Sequence, residues 1–193
     1  MIILPRKNTY HLALIGLPSS GKGMIGRILR DKAGYKHMPN DDVREKLFPG
    51  KKPWDLSSEE WLMLYNDVAS ARHLYLSNGQ DVTTDSCPYN QDLRKVTLHV
   101  CPEIKEYMKS ELKRYIISLN VNENELERRE CSRGRTDEKS LEFRKWLSSS
   151  WEPVKSYTDE LGEVPAFNYE NNTRRDQELI LKDLGNIMGF NLL

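Results

Sequence analysis

Cysteine is scarce: Cys87, Cys101 and Cys131 are the only three in 193 residues, and no two are spaced as a CxxC pair. An odd, scattered set excludes a disulfide framework and a structural zinc site, and it suits a reducing cytoplasm. Long apolar runs are missing too. The early run Leu12-Ala13-Leu14-Ile15 is far too short to cross a bilayer or to form a signal peptide's apolar region, so no membrane partner is expected. Net charge is also absent, with 29 Lys+Arg against 29 Asp+Glu. That balance excludes a histone-like, general electrostatic binder of nucleic acid, while leaving room for a local basic patch. No internal repeat, low-complexity tract or interdomain linker is visible, and the length fits a single domain, residues 1–193.

What is present reads as strands alternating with helices. Residues 10–15 form a short buried strand, 16–21 a turn, and 22–32 a helix with Met24, Ile25, Ile28 and Leu29 at helical spacing. An extended stretch at 35–38 precedes a helix beginning near Asp42. Ser57 with Glu60 is a capping-box signal for a long helix ending at Asn78-Gly79. The β-branched run Val82-Thr83-Thr84 ends on Asp85, and a helix from Asn90 breaks at Cys101-Pro102, where Pro102 can restart a second piece. Residues 115–119 read as a strand, Asn122 caps a helix stopped by Gly134, and a short strand at 166–169 separates helices at 138–147 and 176–187. This order predicts a mostly parallel α/β sheet.

The segment Gly16-Leu17-Pro18-Ser19-Ser20-Gly21-Lys22-Gly23 fits GxxxxGK between strand and helix. Glycines let successive backbone N–H groups curl around phosphate oxygens, the helix N-terminus adds its positive dipole end, and Lys22 reaches the β/γ-phosphates. Gly16, Ser19, Ser20, Gly21, Lys22 and Gly23 are therefore the nucleotide-binding candidates. Gly23 departs from the full pattern, which places there a Ser or Thr hydroxyl on Mg²⁺. No protein ligand to the metal is certain from the sequence; Asp85, acting through water, is a candidate beside Ser19 and Ser20.

Asn40-Asp41-Asp42-Val43-Arg44 follows the second strand, where parallel sheets open their ligand crevice. A carboxylate there can accept a proton from an attacking hydroxyl, and Arg44 can hold an anionic group of the acceptor. The plainer alternative is a helix cap with an i,i+3 ion pair. Asp85 ends its strand as a metal- or water-positioning Asp does, and Tyr89 beyond it would line an acceptor pocket; a turn cap is the alternative. Arg129 and Arg133 are four apart and, with Arg135, can close over transferring phosphates as a mobile lid near residues 127–150. A solvated, ion-paired face would leave the same pattern. The four tryptophans are expected to pack in the core or lid.

These segments resemble the small P-loop kinases of the adenylylsulfate kinase, polynucleotide 5′-hydroxyl kinase and zeta-toxin group. The resemblance rests on GLPSSGKG, NDDVR, VTTDSCPYNQDLR and ERRECSRGR, in family order, between Tyr10 and about Arg135. PNDDVR is similar to DGDNVR of adenylylsulfate kinases and NRDDxR of polynucleotide kinases, which implies Asp41 as the base and Arg44 as the substrate arginine. CPYNQD is similar to the SPYxxD stretch of adenylylsulfate kinases. RRECSRGR resembles the polynucleotide kinase lid, which implies Arg133 as the catalytic arginine. The KGLY segment of adenylylsulfate kinases is absent, and residues 48–78 and those after 145 match neither. The resemblance implies a three-layer sandwich with a mostly parallel five-stranded sheet and a small helical lid. It implies ATP and Mg²⁺ as cofactors and γ-phosphate transfer to a hydroxyl of a small nucleotide-like acceptor, in a monomer or homodimer. A nucleic-acid 5′ end is the second acceptor class, and a catalytically weak nucleotide-binding module is the reading that Gly23-Met24 keeps open.

Overall fold

The computed structural model describes residues 7–101, 103–108 and 110–193. Strand β1 (Asn8–Ile15) runs into the glycine-rich turn, and α1 (Lys22–Ala33) starts directly after it. Gly34 ends α1 in a left-handed conformation, φ 74°, which a residue without a Cβ adopts freely. Strand β2 (Lys36–Pro39) passes straight into α2 (Asn40–Leu47). That helix therefore begins before the expected Asp42, with Asp41 and Asp42 both in its first turn, where carboxylates meet the positive dipole end.

A 3₁₀ turn (Pro53–Asp55) leads to α3 (Ser58–Ser77). The predicted capping box opens α3: Glu60 N–H donates to Ser57 Oγ at 3.2 Å, and Ser57 N–H donates to Glu60 Oε2 at 3.0 Å. Strand β3 (Val82–Ser86), α4 (Gln91–Leu98) and the short α5 (Ile104–Tyr107) follow. The helix from Asn90 thus ends at Leu98, and Pro102 lies outside the described residues. Next come β4 (Glu111–Asn120), α6 (Glu123–Ser132) and α7 (Glu138–Ser149). A hairpin of β5 (Tyr157–Asp159) and β6 (Gly162–Val164) precedes β7 (Ala166–Glu170) and α8 (Arg174–Met188).

The main sheet has five strands in the order β2-β3-β1-β4-β7, all paired in parallel. Alternation along the central strands sorts the core into two faces. Leu12, Leu14, Ile117 and Leu119 pack on Ile25 and Leu29 of α1 and on Ile180 and Leu184 of α8. Ala13, Ile15 and Ile116 turn the other way, onto Leu98, Val154 and Val164. On that second side α3 covers the β2–β3 half through Leu64, Val68 and Leu76 against Met38 and Val82. Both faces are covered, as an all-parallel sheet requires, and the result is the expected three-layer α/β sandwich. The β5–β6 hairpin was not foreseen; three-residue strands are too short to show a period. Arg114 of β4 holds it by a bidentate pair to Asp159, at 2.6 and 2.5 Å.

Candidate functional site

Parallel pairing brings every C-terminal strand end to one edge. There the glycine-rich loop after β1 meets Asp85 of β3, Asn120 of β4 and Asn171 just beyond β7. The loop is tightly built. A Cβ on Gly16 would stand 2.5 Å from Ser20 Oγ and 2.6 Å from Leu119 O, so only glycine lets the loop leave β1 this close to β4. Gly21 has φ 98° and lies against the Asn171 amide. Ser19 also has positive φ, 61°, a strained choice for a side-chain-bearing residue and one found at ligand-binding turns. Lys22 is buried, and its Nζ donates to Gly16 O at 2.8 Å and Leu17 O at 2.9 Å.

Lys22 Nζ also lies 3.9 Å from Asp85 Oδ1. Burial pushes the Asp85 carboxyl up to about 6, against the pull of Lys22 and with a further push from Asp41. Burial likewise raises the Cys87 thiol, which Lys22 pulls the other way. Asp41 is on the exposed first turn of α2, its side chain 66% accessible, and accepts from Arg44 Nη1 at 2.5 Å. Arg44 is 13% accessible, and its buried Nε has no partner. Tyr89 packs edge-on against Trp146, 5.0 Å between centroids. Trp146 stacks on Phe143 at 5.9 Å, and Phe143 meets Trp54 at 5.9 Å. This aromatic line ties α7 to the segment after β3 and to the 3₁₀ turn, and a cavity of about 350 Å³ opens along it, lined by Trp54, Asp55, Lys139, Glu142, Phe143 and Trp146. Trp61, stacked on Tyr65 at 5.7 Å, and Trp151, under the Arg94 guanidinium at 5.1 Å, pack against the core as expected, whereas Trp54 and Trp146 line the cavity and Trp146 is 48% exposed.

Helix α6 brings its arginines to the loop. Arg129 donates to Ser19 O at 3.2 Å and Asn171 O at 2.7 Å, and is itself held by Glu125 at 2.7 Å. Hydrogen bonds from Arg128 and Arg129 hold the Glu125 carboxyl down to about 2. Arg133 Nη1 donates to Ser19 Oγ at 3.1 Å. Arg135 reaches the buried Glu130 at 3.8 Å. The structure thus brings Asp85, Arg129 and Arg133 to the loop, with Asp41 in electrostatic reach of Asp85; Arg44 is tied to Asp41, and Tyr89 lies against Trp146 of α7.

Two participants escaped the sequence reading. Glu130, buried in α6, accepts from the Ser19 hydroxyl, and within the run ERRE nothing marks it. Asn171, fully buried, donates to Ser20 O at 2.6 Å. Its place just past a strand's C-terminal end was its one available signal.

This architecture recurs in solved structures. A sugar kinase from Janibacter sp. HTCC2649 superposes with a TM-score of 0.67 at 15% identity, over 93% of this chain and 95% of that one. The APS kinase of Mycobacterium tuberculosis, in complex with AMPPNP and APS, gives 0.59 at 12% identity, over 95% and 99%. The chain has the P-loop kinase fold. A chain of the Pnkp1/Rnl/Hen1 RNA repair complex gives 0.54 at 17% identity, with 81% of this chain covering 48% of that one. No family model and no curated protein matches the sequence. One of these neighbours, the APS kinase, is of a type that the four motifs resemble. Among the described residues no helix is long and apolar enough to cross a membrane.

Proposed function

We propose that this chain is an ATP-dependent kinase that transfers the γ-phosphoryl group to a hydroxyl of a small, nucleotide-like acceptor. One observation carries the reading: Lys22, the first residue of α1, lies 3.9 Å from Asp85 near the C-terminal end of β3, while Arg129 and Arg133 reach the same loop from α6. Phosphoryl transfer needs little covalent chemistry from a protein; it needs positioning and cations where charge develops. Lys22 and the loop amides hold the β/γ-phosphates, with Gly16, Ser19, Ser20, Gly21 and Gly23 shaping that cradle. Arg129 supports the loop and Arg133 stabilises charge on the transferring group. Residues 127–150 act as the lid that excludes water. Asp41 accepts the hydroxyl proton, and Arg44 and Tyr89 hold the acceptor.

The residues fit a Mg²⁺ ion that arrives with the nucleotide. Such ions need one or two carboxylates besides phosphates and water, and Asp85 is the carboxylate in place. Among the described residues no group of three His, Cys, Asp or Glu side chains could hold a metal unaided. Once bound, the ion supplies charge neutralisation. Lys22→Ala should lower radiolabelled γ-phosphate transfer by ~10²-fold or more, as loss of such electrostatic groups does. Transfer at the wild-type rate in that variant overturns the assignment.

A further inference from the structure

The loop's last position is where this chain departs from GxxxxGK[ST], and its surroundings are unusual. A Cβ on Gly23 would stand 3.3 Å from Asp85 Oδ2 and 3.5 Å from Arg27 Nη1. The place where the full pattern puts a hydroxyl is therefore flanked by a carboxylate and a guanidinium. Gly23 and Arg27 are one turn apart on α1, so both present to the same side. Arg27 is exposed, and among the described residues no hydrogen bond or ion pair ties down its guanidinium. The charged and titratable groups around it are Asp85, Asp31 on the next turn, and His37, whose imidazole Arg27 helps to hold neutral.

The phosphate chain of ATP needs cations on both flanks. Lys22 and the loop amides serve one flank; the other, beside Asp85, is the one a loop-held metal ion serves in the full pattern. Here a free guanidinium already stands on that side, with no side chain at residue 23 in its way. Its planar fork suits phosphate oxygens, and its charge persists at every working pH. It also adds positive charge near Asp85, after the larger effects of Lys22 and Asp41, without pairing with it.

Building on the kinase reading above, we propose that Arg27 is a nucleotide-binding residue that reaches the phosphate chain through the space left by Gly23, so that this chain holds ATP with little dependence on Mg²⁺. The test is calorimetric titration of the full chain with ATP, once in excess Mg²⁺ and once in EDTA. The wild-type dissociation constants should agree within about threefold. Arg27→Gln should weaken ATP about tenfold or more in EDTA, the scale of one lost charge-assisted contact, and much less in Mg²⁺. Arg27→Lys should retain most of the EDTA affinity. Gly23→Ser, which puts a side chain between Arg27 and Asp85, should introduce the Mg²⁺ dependence. A wild-type loss of about 100-fold on chelation, or Arg27→Gln binding like wild type in EDTA, overturns the proposal. Absence of ATP binding in both buffers overturns the kinase reading itself, and this inference with it.

Discussion

At the scale of single residues, Asp41 and Arg44 make opposite demands on their surroundings. Asp41 is open to solvent on the first turn of α2, whereas Arg44 is largely covered, with one guanidinium nitrogen on Asp41 and Nε buried without a partner. An exposed ion pair of this kind contributes only about 0–1 kcal/mol to stability, so the fold gives little reason for the pair. Asp41→Asn keeps the shape and removes the basicity; turnover should fall by ~10²–10⁴-fold with ATP affinity nearly unchanged. Arg44→Ala should chiefly raise the acceptor Michaelis constant. Steady-state kinetics with each substrate varied in turn separates the two. If Asp41→Asn weakened ATP alone, the carboxylate would belong to the nucleotide side instead.

At the scale of elements, the packing of α1 on β2 turns on the absence of one side chain. A Cβ on Gly26 would overlap the His37 ring, and His37 Nδ1 in turn lies 3.0 Å from Thr83 Oγ1 of β3. Gly26→Ala should therefore destabilise the chain, by about 1–3 kcal/mol as overpacking does, measured by urea unfolding. The same contact gives a pH dependence. Burial, with Arg27 and Arg30 nearby, holds His37 down to about 4, while the unfolded chain takes up the proton near 6.5. The unfolded state thus binds more protons between those values, and stability should rise with pH from about 4 to 6.5 and level off above. His11, fully buried and held well below its ordinary value, acts in the same direction. His37→Gln should flatten part of the slope; an unchanged urea-midpoint profile would refute the assignment to His37. Elements of this kind divide into those the sequence shows and those it hides. The Ser57–Glu60 box, the central strands and the loop were readable because each has a local physical signature: reciprocal capping, short uninterrupted apolar or β-branched runs, glycine at forced geometry. The β5–β6 hairpin was not, because its three-residue strands are too short to show a period; Arg94's bond to the Pro153 carbonyl and the Asn171–Ser20 bond were not, because their partners are 59 and 151 residues away.

At the scale of the whole molecule, the question is whether the cations form a track for a polynucleotide. Lys46, Lys51, Lys52, Arg94 and Lys95 are the candidates for such a track. The fold withdraws one of them. Arg94 is fully buried, donating to the carbonyls of Pro88, Tyr89, Glu152 and Pro153 at 2.6–3.1 Å. Lys51, paired with Glu60 at 2.6 Å, and Lys95, 3.9 Å from Asp92, stay about half exposed in weak surface pairs. The four lysines remain, and they neutralise at most about four phosphates, for a single-strand salt slope no steeper than about −2.8. A small acceptor with one anionic group needs no more than Arg44 and one neighbour. Side-by-side kinetics on a nucleoside 3′-phosphate, adenylylsulfate and a 5′-hydroxyl oligonucleotide, each at two salt concentrations, should show kcat/KM highest for a small acceptor. The logarithmic salt slope should be shallow throughout. A preference for the oligonucleotide that weakens steeply with salt would mean that a phosphate track exists on a face the ion pairs leave free, and the acceptor would then be a nucleic-acid end.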